Sequence, residues 1–341
     1  MIGFGQQVYV PDDNFENYLE ANGMGDGIAL NDYVNPLNIY SVTSLNLANI
    51  LIMDYTGLEG FGQLEELTLD YLTEIPGNWN IPSLPNLKWL SIPESCTSID
   101  MTYFPNIEHF YAGILTEIDL SQNINLKTLE ISTALLYQDS LILTNNINLE
   151  KLKLMGNTAT LGVNQGVTHI DISNNNKLHR IQIVNNPISE ITFANDSLSY
   201  LQIAGTNIRC IDLSSMNYIN NCHINGNVNL KQLNLKNGAP SNIDWVLIQN
   251  NYDHWNLDYC IQVDNVAYAN QNWNTQINGI FNENCNYDPL ECILVTSIQE
   301  QTTNKELLKV TDILGRESKQ TNQPLLYIYD DGTVEKKITI N

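Results

Sequence analysis

The sequence predicts a mostly β solenoid with a short helical cap at its front, a second cap behind it and a small antiparallel β tail. Three observations predict it. A frame, Leu-x-x-Leu-x-Leu, returns at Leu64, Leu87, Ile107, Leu126, Leu149, Leu178, Leu198 and Ile219, so starts lie about 19 to 29 residues apart. Its cleanest copy runs Leu178-x-x-Ile181-x-Ile183-x-x-Asn186-x-Ile188. A second apolar pair follows half a repeat on, in Ile118-Asp-Leu120, Ile170-Asp-Ile172, Ile211-Asp-Leu213 and Leu233-Asn-Leu235. Turns rich in Asn, such as Ser173–Asn176, close those pairs. A frame of this length and content is that of a leucine-rich repeat. The half-repeats are too short for a three-turn helix, so the second pair reads as a second strand on the opposite wall.

Residues 1–40 form the expected N-terminal cap. Val10–Leu19 reads as a short helix: Asp12 or Asp13 can cap it, Glu16 stands at capping-box spacing from Asp13, and Phe15 and Leu19 share a face. Asn22–Gly27 is a turn cluster, with no strand leading in to make it a phosphate loop. Asp26, Asn31 and Asp32 offer oxygen ligands of the kind calcium takes, but the spacing fits no EF-hand and no metal is predicted. Residues 41–259 form the solenoid, opening on the degenerate copy Ser44–Asn49. The stretch Thr158–Thr168 reads as a loop inserted in one repeat, and the turn residues Asn157, Asn186 and Asn227 as structural amides. From Ile243 the frame decays into Trp245, Tyr252, Trp255, Tyr259, Tyr268 and Trp273, read as a plug for the open end of the core. Residues 260–292 make the C-terminal cap and 293–341 the tail.

The 341 residues carry a formal net charge of -23. Val295–Asn341 hold six basic and seven acidic side chains, which leaves nine against 31 in the rest. A body this acidic repels nucleic acid and anionic lipid, both of which need cations to neutralise phosphates. No apolar run is long enough to span a bilayer. Met1–Gln7 lacks the basic and apolar regions of a signal peptide, so the segment reads as the remnant of one or as a plain terminus. The six cysteines form no C-x-x-C pair and allow 15 connectivities. Cys222 occupies an inward Leu position and reads as a buried free thiol, whereas Cys260, Cys285 and Cys292 cluster where a disulfide would seal the cap.

In each repeat the residues flanking the middle Leu face the concave wall. The residue before it reads Glu66, Trp89, His109, Thr128, Lys151, Arg180, Tyr200, Asn221; the one after reads Thr68, Ser91, Tyr111, Glu130, Lys153, Gln182, Gln202, His223. Two groups stand out as ligand contacts. Trp89, His109 and Tyr111 form an aromatic group, and Lys151, Lys153, His179 and Arg180 form the body's basic patch, with Tyr200 beyond. Exposed Trp, Tyr and Arg are the residue types enriched at binding hot spots. No metalloprotease, nucleophile-elbow or phosphate-loop motif is present, so no enzyme, catalytic residue or cofactor is predicted.

The tail reads as strand, Asp312–Arg316 turn, strand, Asp331-Gly332 hairpin, strand. Its Asp312-x-x-Gly315-Arg316 motif, its Tyr327-Ile-Tyr329 strand, Gly332 and the ending Lys336-Lys337 resemble the C-terminal sorting domain of the type IX secretion system of Bacteroidetes. It departs from that pattern in having Pro324-Leu-Leu where a Gly precedes the Tyr strand, and in being short. Tyr9-Val-Pro-Asp-Asp-Asn-Phe-Glu16 and the segment from Cys260 through Trp273 to Cys285 resemble the opening and closing segments of internalin-like leucine-rich-repeat proteins of flavobacteria. The resemblance implies a Cys260–Cys285 bridge, export guided by the tail, and a secreted or outer-membrane surface location. The expected function is adhesion to an extracellular protein through the concave face. Glycan capture and a passive acidic spacer are the rivals.

Overall fold

The computed structural model describes residues 7–69, 80–133, 140–156, 167–193, 197–239, 243, 245–249, 259–276, 279–287, 307–312, 316, 324–329 and 334–338. The chain divides into two units, Met1–Cys292 and Ile293–Asn341.

In the first unit the Leu-x-x-Leu-x-Leu frame becomes one parallel sheet of eleven strands. They are Ser44–Asn46, Glu66–Thr68, Trp89–Ile92, His109–Ile114, Thr128–Ser132, Lys151–Met155, Arg180–Val184, Tyr200–Ala204, Asn221–Asn225, Trp245–Gln249 and Asn274–Gln276. The middle apolar residue of each copy points inward: Leu67, Leu90, Phe110, Leu129, Leu152, Ile181, Leu201 and Cys222 are at most 1% exposed. One such side chain gains about 1.5–3 kcal/mol on burial, and stacking the repeats joins these gains into one continuous core. Trp245 stands at the register position of Asn221, so the ladder continues where the Leu frame has faded.

The opposite wall is less regular than the sequence suggests. Strands form at Ser140–Ile142, His169–Asp171 and Glu190–Thr192, and again at Cys210–Asp212, Gln232–Asn234, Tyr259–Gln262 and Gly279–Asn282. Ile118 and Leu120 are buried yet not in a strand, and the earlier repeats turn instead through 3-10 segments at Leu58–Gly60 and Met101–Tyr103. Burial fixes those side chains without requiring a ladder.

Asparagine does two jobs in the turns. Asn49 and Asn185 take the left-handed conformation at φ 65° and 55°. Asn123, Asn146 and Asn175 do not; they are fully buried and their amides tie successive repeats. Asn146 Nδ2 donates to Leu120 O at 3.1 Å and Asn123 O at 2.9 Å, and Asn175 Nδ2 to Leu143 O at 3.1 Å and Asn146 O at 2.8 Å. Asn186 and Asn227 are structural as expected: Asn186 accepts from Thr133 Oγ1 and donates to Leu154 O at 3.2 Å, while Asn227 donates to Ile203 O at 3.0 Å. Asn157 and nearly all of the Thr158–Thr168 insertion lie outside the described residues.

The front helix spans Asp13–Ala21 with Asp12 as its cap, Oδ1 accepting from Asn14 N and Phe15 N at 3.0 Å each. Phe15 and Leu19 are buried, Phe15 with its ring centroid 6.4 Å from that of Phe61 in the first repeats. Glu16 makes no capping box. Its fully buried carboxylate accepts from Asn31 N at 2.9 Å and Asp32 N at 3.1 Å, pinning the following loop. Asp26 takes neutral amide donors from Gln7, Asn31 and Ile28. No cluster of three metal-ligating His, Cys, Asp or Glu occurs among the described residues.

At the far end Cys260 and Cys285 form a disulfide with Cα atoms 5.9 Å apart, and Cys210 is also disulfide-bonded. A helix not expected from the sequence, Val266–Asn272, is capped by Asn265 and leads to Trp273, buried edge-on against Phe281 at 5.6 Å. Tyr252, Trp255 and Cys292 lie outside the described residues. Cys96 and Cys222 are buried free thiols, which burial pushes up to about 11 and about 12.

The second unit is an antiparallel sheet of Leu307–Asp312, Pro324–Tyr329 and Val334–Ile338, in that order. Asp312 ends the first strand opposite Leu325, Tyr327 pairs with Val310 and Glu335, and Tyr329 pairs with Leu307. Lys336 and Lys337 stand opposite Leu326 and Leu325, and Arg316 is exposed. Gly315 and Gly332 lie outside the described residues.

Candidate functional site

Parallel register turns the two rows read from the sequence into two physical rows on the long sheet. Glu66, Trp89, His109, Thr128, Lys151, Arg180, Tyr200 and Asn221 are paired strand to strand without a slip. So are Thr68, Ser91, Tyr111, Glu130, Lys153, Gln182, Gln202 and His223. Because side chains alternate across a strand, both rows lie on the face opposite the core.

At the first group the rings meet. Trp89 lies 4.5 Å from Tyr111 and 5.2 Å from His109 between centroids, at 31° and 40°. Offset aromatic contacts of this kind add about 0.5–1.5 kcal/mol beyond area burial. His109 Nδ1 shares a 3.0 Å hydrogen bond with Thr128 Oγ1, which fixes the ring. Burial holds the His109 imidazole below its ordinary range, against the pull of Glu108, so at neutral pH it is an uncharged partner of the indole. Burial, then the Glu130 carboxylate, pushes the Tyr111 phenol up.

Beside Tyr111 a cavity of about 310 Å³ opens, lined among others by Ser91, Glu94, Tyr111, Glu130, Lys153 and Met155. There the strand His109–Ile114 shifts register between Ala112 and Ile114, and Gly113 passes so close to the Glu94 backbone that a Cβ would collide. This cavity follows from the irregular strand and has no sequence signal apart from Gly113.

The basic patch resolves into unlike members. Lys153 Nζ pairs with Glu130 at 3.1 Å. Lys151 is exposed and sits in register with Arg180. The Arg180 guanidinium carbon lies 3.8 Å above the Tyr200 ring, a cation–π contact, and Tyr200 in turn meets the His223 ring at 5.5 Å. Burial, then Arg180, holds His223 below its ordinary range. Gln182 and Gln202, which were not singled out in the sequence, complete this cluster; their signal was two glutamines at successive positions of one row. His179 belongs instead to the rim just before the strands.

That rim is a third row, not read from the sequence. Backbone bonds link Glu65, Lys88, Glu108, Lys127, Glu150 and His179 in order. Charges alternate along it, with Lys88 2.9 Å from Glu65 and Lys127 2.5 Å from Glu108. The hydrogen bond from Lys127 holds the Glu108 carboxyl below its usual range and pushes Lys127 up.

No protein-family model matches the chain, and no curated protein matches it. Solved structures do. The functional domain of InlJ from Listeria monocytogenes, described as including a cysteine ladder, matches with 18% identity and a TM-score of 0.54 over 86% of this chain and 66% of that one. This chain thus spans just under two thirds of that protein's length. Internalin C2 of the same organism matches at 13% identity and TM-score 0.38, over 75% of this chain and 94% of that one. Internalin F matches at 14% and 0.41, over 72% and 91%. At TM-scores that low, the fold comparison rests on the InlJ domain. Here Cys222 has Leu201 and Val246 as register neighbours, so the stacked position carries one cysteine flanked by aliphatic residues. The likeness gives this chain an internalin-like leucine-rich-repeat fold.

Proposed function

We propose that the protein is secreted or displayed on the cell surface and binds an extracellular protein through the outward rows of its long sheet. The carrying observation is Trp89 held against both His109 and Tyr111 on a face the core does not use. A core-filling role is closed to these side chains by strand alternation. Large aromatics left on a solvent face cost exposure of apolar surface, which a docking partner removes. The candidate contacts are Trp89, His109, Tyr111, Lys151, Lys153, Arg180 and Tyr200.

The test is a binding screen of the full chain on paired extracellular-protein and glycan arrays, beside the variant Trp89→Ala/Tyr111→Ala/Tyr200→Ala. A protein hit lost in the variant supports the reading. A glycan hit lost in the variant replaces protein by sugar as the ligand. A blank with well-folded protein leaves the spacer reading.

For export, we infer that the tail is a type IX sorting domain of a Bacteroidetes protein. The support is the motif set Asp312, Gly315, Arg316, Tyr327, Tyr329, Gly332, Lys336 and Lys337, five of which fall on a three-stranded unit separate from the solenoid. Expressed in a type IX-competent host behind a signal peptide, the chain lacking Leu307–Asn341 should stay in the periplasm while the full chain reaches the surface. Equal surface levels would sink the inference.

A further inference from the structure

The basic patch contains two cations that no carboxylate among the described residues neutralises. Lys153 is taken by Glu130, but neither Lys151 nor Arg180 has a carboxylate within ion-pair distance among the described residues. Their Cα atoms are opposed in register on neighbouring strands, where like charges destabilise a sheet. In a chain of net charge -23 such a pair could readily have found acids, as three other lysines have.

Arg180 is moreover held in place. Its guanidinium lies on Tyr200 at 3.8 Å, and its Nε donates to Gln182 Oε1 at 3.2 Å. Gln182 Nε2 donates to Gln202 Oε1 at 2.9 Å, which also accepts from the Tyr200 hydroxyl at 3.4 Å. These bonds use Nε and leave the two terminal nitrogens without a partner among the described residues. They form a planar pair of donors, the geometry that matches a carboxylate, and a held guanidinium loses little freedom on binding.

We propose that Arg180 and Lys151 form a clamp for one carboxylate of a protein partner, with Tyr200, Gln182 and Gln202 as positioning residues. The proposal rests on the reading that the long sheet binds a protein. A single fork with one lysine neutralises one or two charges, and the acidic remainder of the body repels a polyanion. That favours an isolated Asp, Glu or C-terminal carboxylate over a polysulfated or polyphosphate chain. Trp89 and Arg180 are four strands apart, roughly 19 Å at about 4.8 Å per strand. One partner surface can therefore place an apolar anchor at the first and the carboxylate at the second.

The test uses the Arg180 Nε–H NMR resonance of the full chain, assigned by its loss in Arg180→Gln. It is titrated at constant ionic strength with N-acetyl-glutamate N-methylamide, with the neutral glutamine counterpart and with glucuronate. The expected result is a saturable shift with the glutamate probe and binding about tenfold weaker or absent with the glutamine one. Lys151→Gln should weaken the glutamate probe several-fold, and Lys88→Gln, at a rim lysine already paired with Glu65, should leave it unchanged. Tyr200→Leu should weaken it and narrow the resonance as the side chain is freed; Tyr200→Phe should restore both. Equal response to the glutamate and glutamine probes, or no saturable shift, overturns the clamp. Tighter binding of glucuronate overturns the protein carboxylate in favour of an acidic sugar. In the array screen, a protein hit lost with the triple alanine variant but kept in Arg180→Gln removes the clamp and leaves the binding wall standing.

Discussion

His109 shows how much one position on the sheet can be made to report. Its imidazole is held low chiefly by burial, so the unfolded chain binds the proton more readily than the folded one. Stability therefore falls as pH drops through the ordinary histidine value of about 6.5 towards the lower folded value, and rises again with pH. Urea unfolding of His109→Gln between pH 5 and 8 should show a flatter profile than the parent; an unchanged slope would contradict the assignment. Burial also lowers His223, which sets a background common to both proteins. At the turns, Asn146→Ala removes two amide bonds and leaves the carbonyls of Leu120 and Asn123 without them. Denaturant titration should show a loss of about 1–3 kcal/mol. That Asn146 is an amide tie, not a left-handed turn residue, was not legible in the sequence. Asn suits both roles, and only the buried carbonyls of the previous repeat select one.

Strands and caps fail differently. Leu129 is fully buried in the middle of the ladder, so Leu129→Ala should cost about 2–5 kcal/mol, read as a lower urea midpoint. The Cys260–Cys285 bridge closes a sequence separation of 25 residues, and the chain-entropy model assigns such a loop about 3.5 kcal/mol. Cys260→Ser/Cys285→Ser should loosen the end first: amide exchange rises in Tyr259–Gln262 and Gly279–Asn282 before it rises in Thr128–Ser132. Uniform exchange across all three would instead mean that the solenoid unfolds as one unit. The bridge was implied by resemblance to other leucine-rich-repeat proteins. The helix Val266–Asn272 was not foreseen, since its run Val-Ala-Tyr-Ala-Asn-Gln-Asn is too short for a clear period and is held by its Asn265 cap and by packing.

For the whole molecule, charge is the dominant global property. With a net charge of -23 and three exposed or half-exposed ion pairs among the described residues, repulsion outweighs local pairing. Raising NaCl from about 0.01 to 0.15 M shortens the screening length from about 30 to 8 Å. The midpoint of thermal unfolding should rise over that range; a fall would mean that the rim ladder of alternating charges matters more than the net charge.

The sequence by itself determined the repeat, the inward residues, the two outward rows and the three-stranded tail. Each depends on short-range periodicity: alternation along a strand sends Leu90 in and Trp89 out whatever the neighbours are. Tertiary structure alone decided which outward residues meet. Register set Trp89 against Tyr111 and His109, gave Lys153 to Glu130, laid Arg180 on Tyr200, and left Lys151 and Arg180 without an acid among the described residues. It also aligned the rim charges and opened the cavity where the strand slips at Gly113. The physical reason is that these contacts join residues about 20 positions apart, across strands whose pairing depends on the length of every intervening turn.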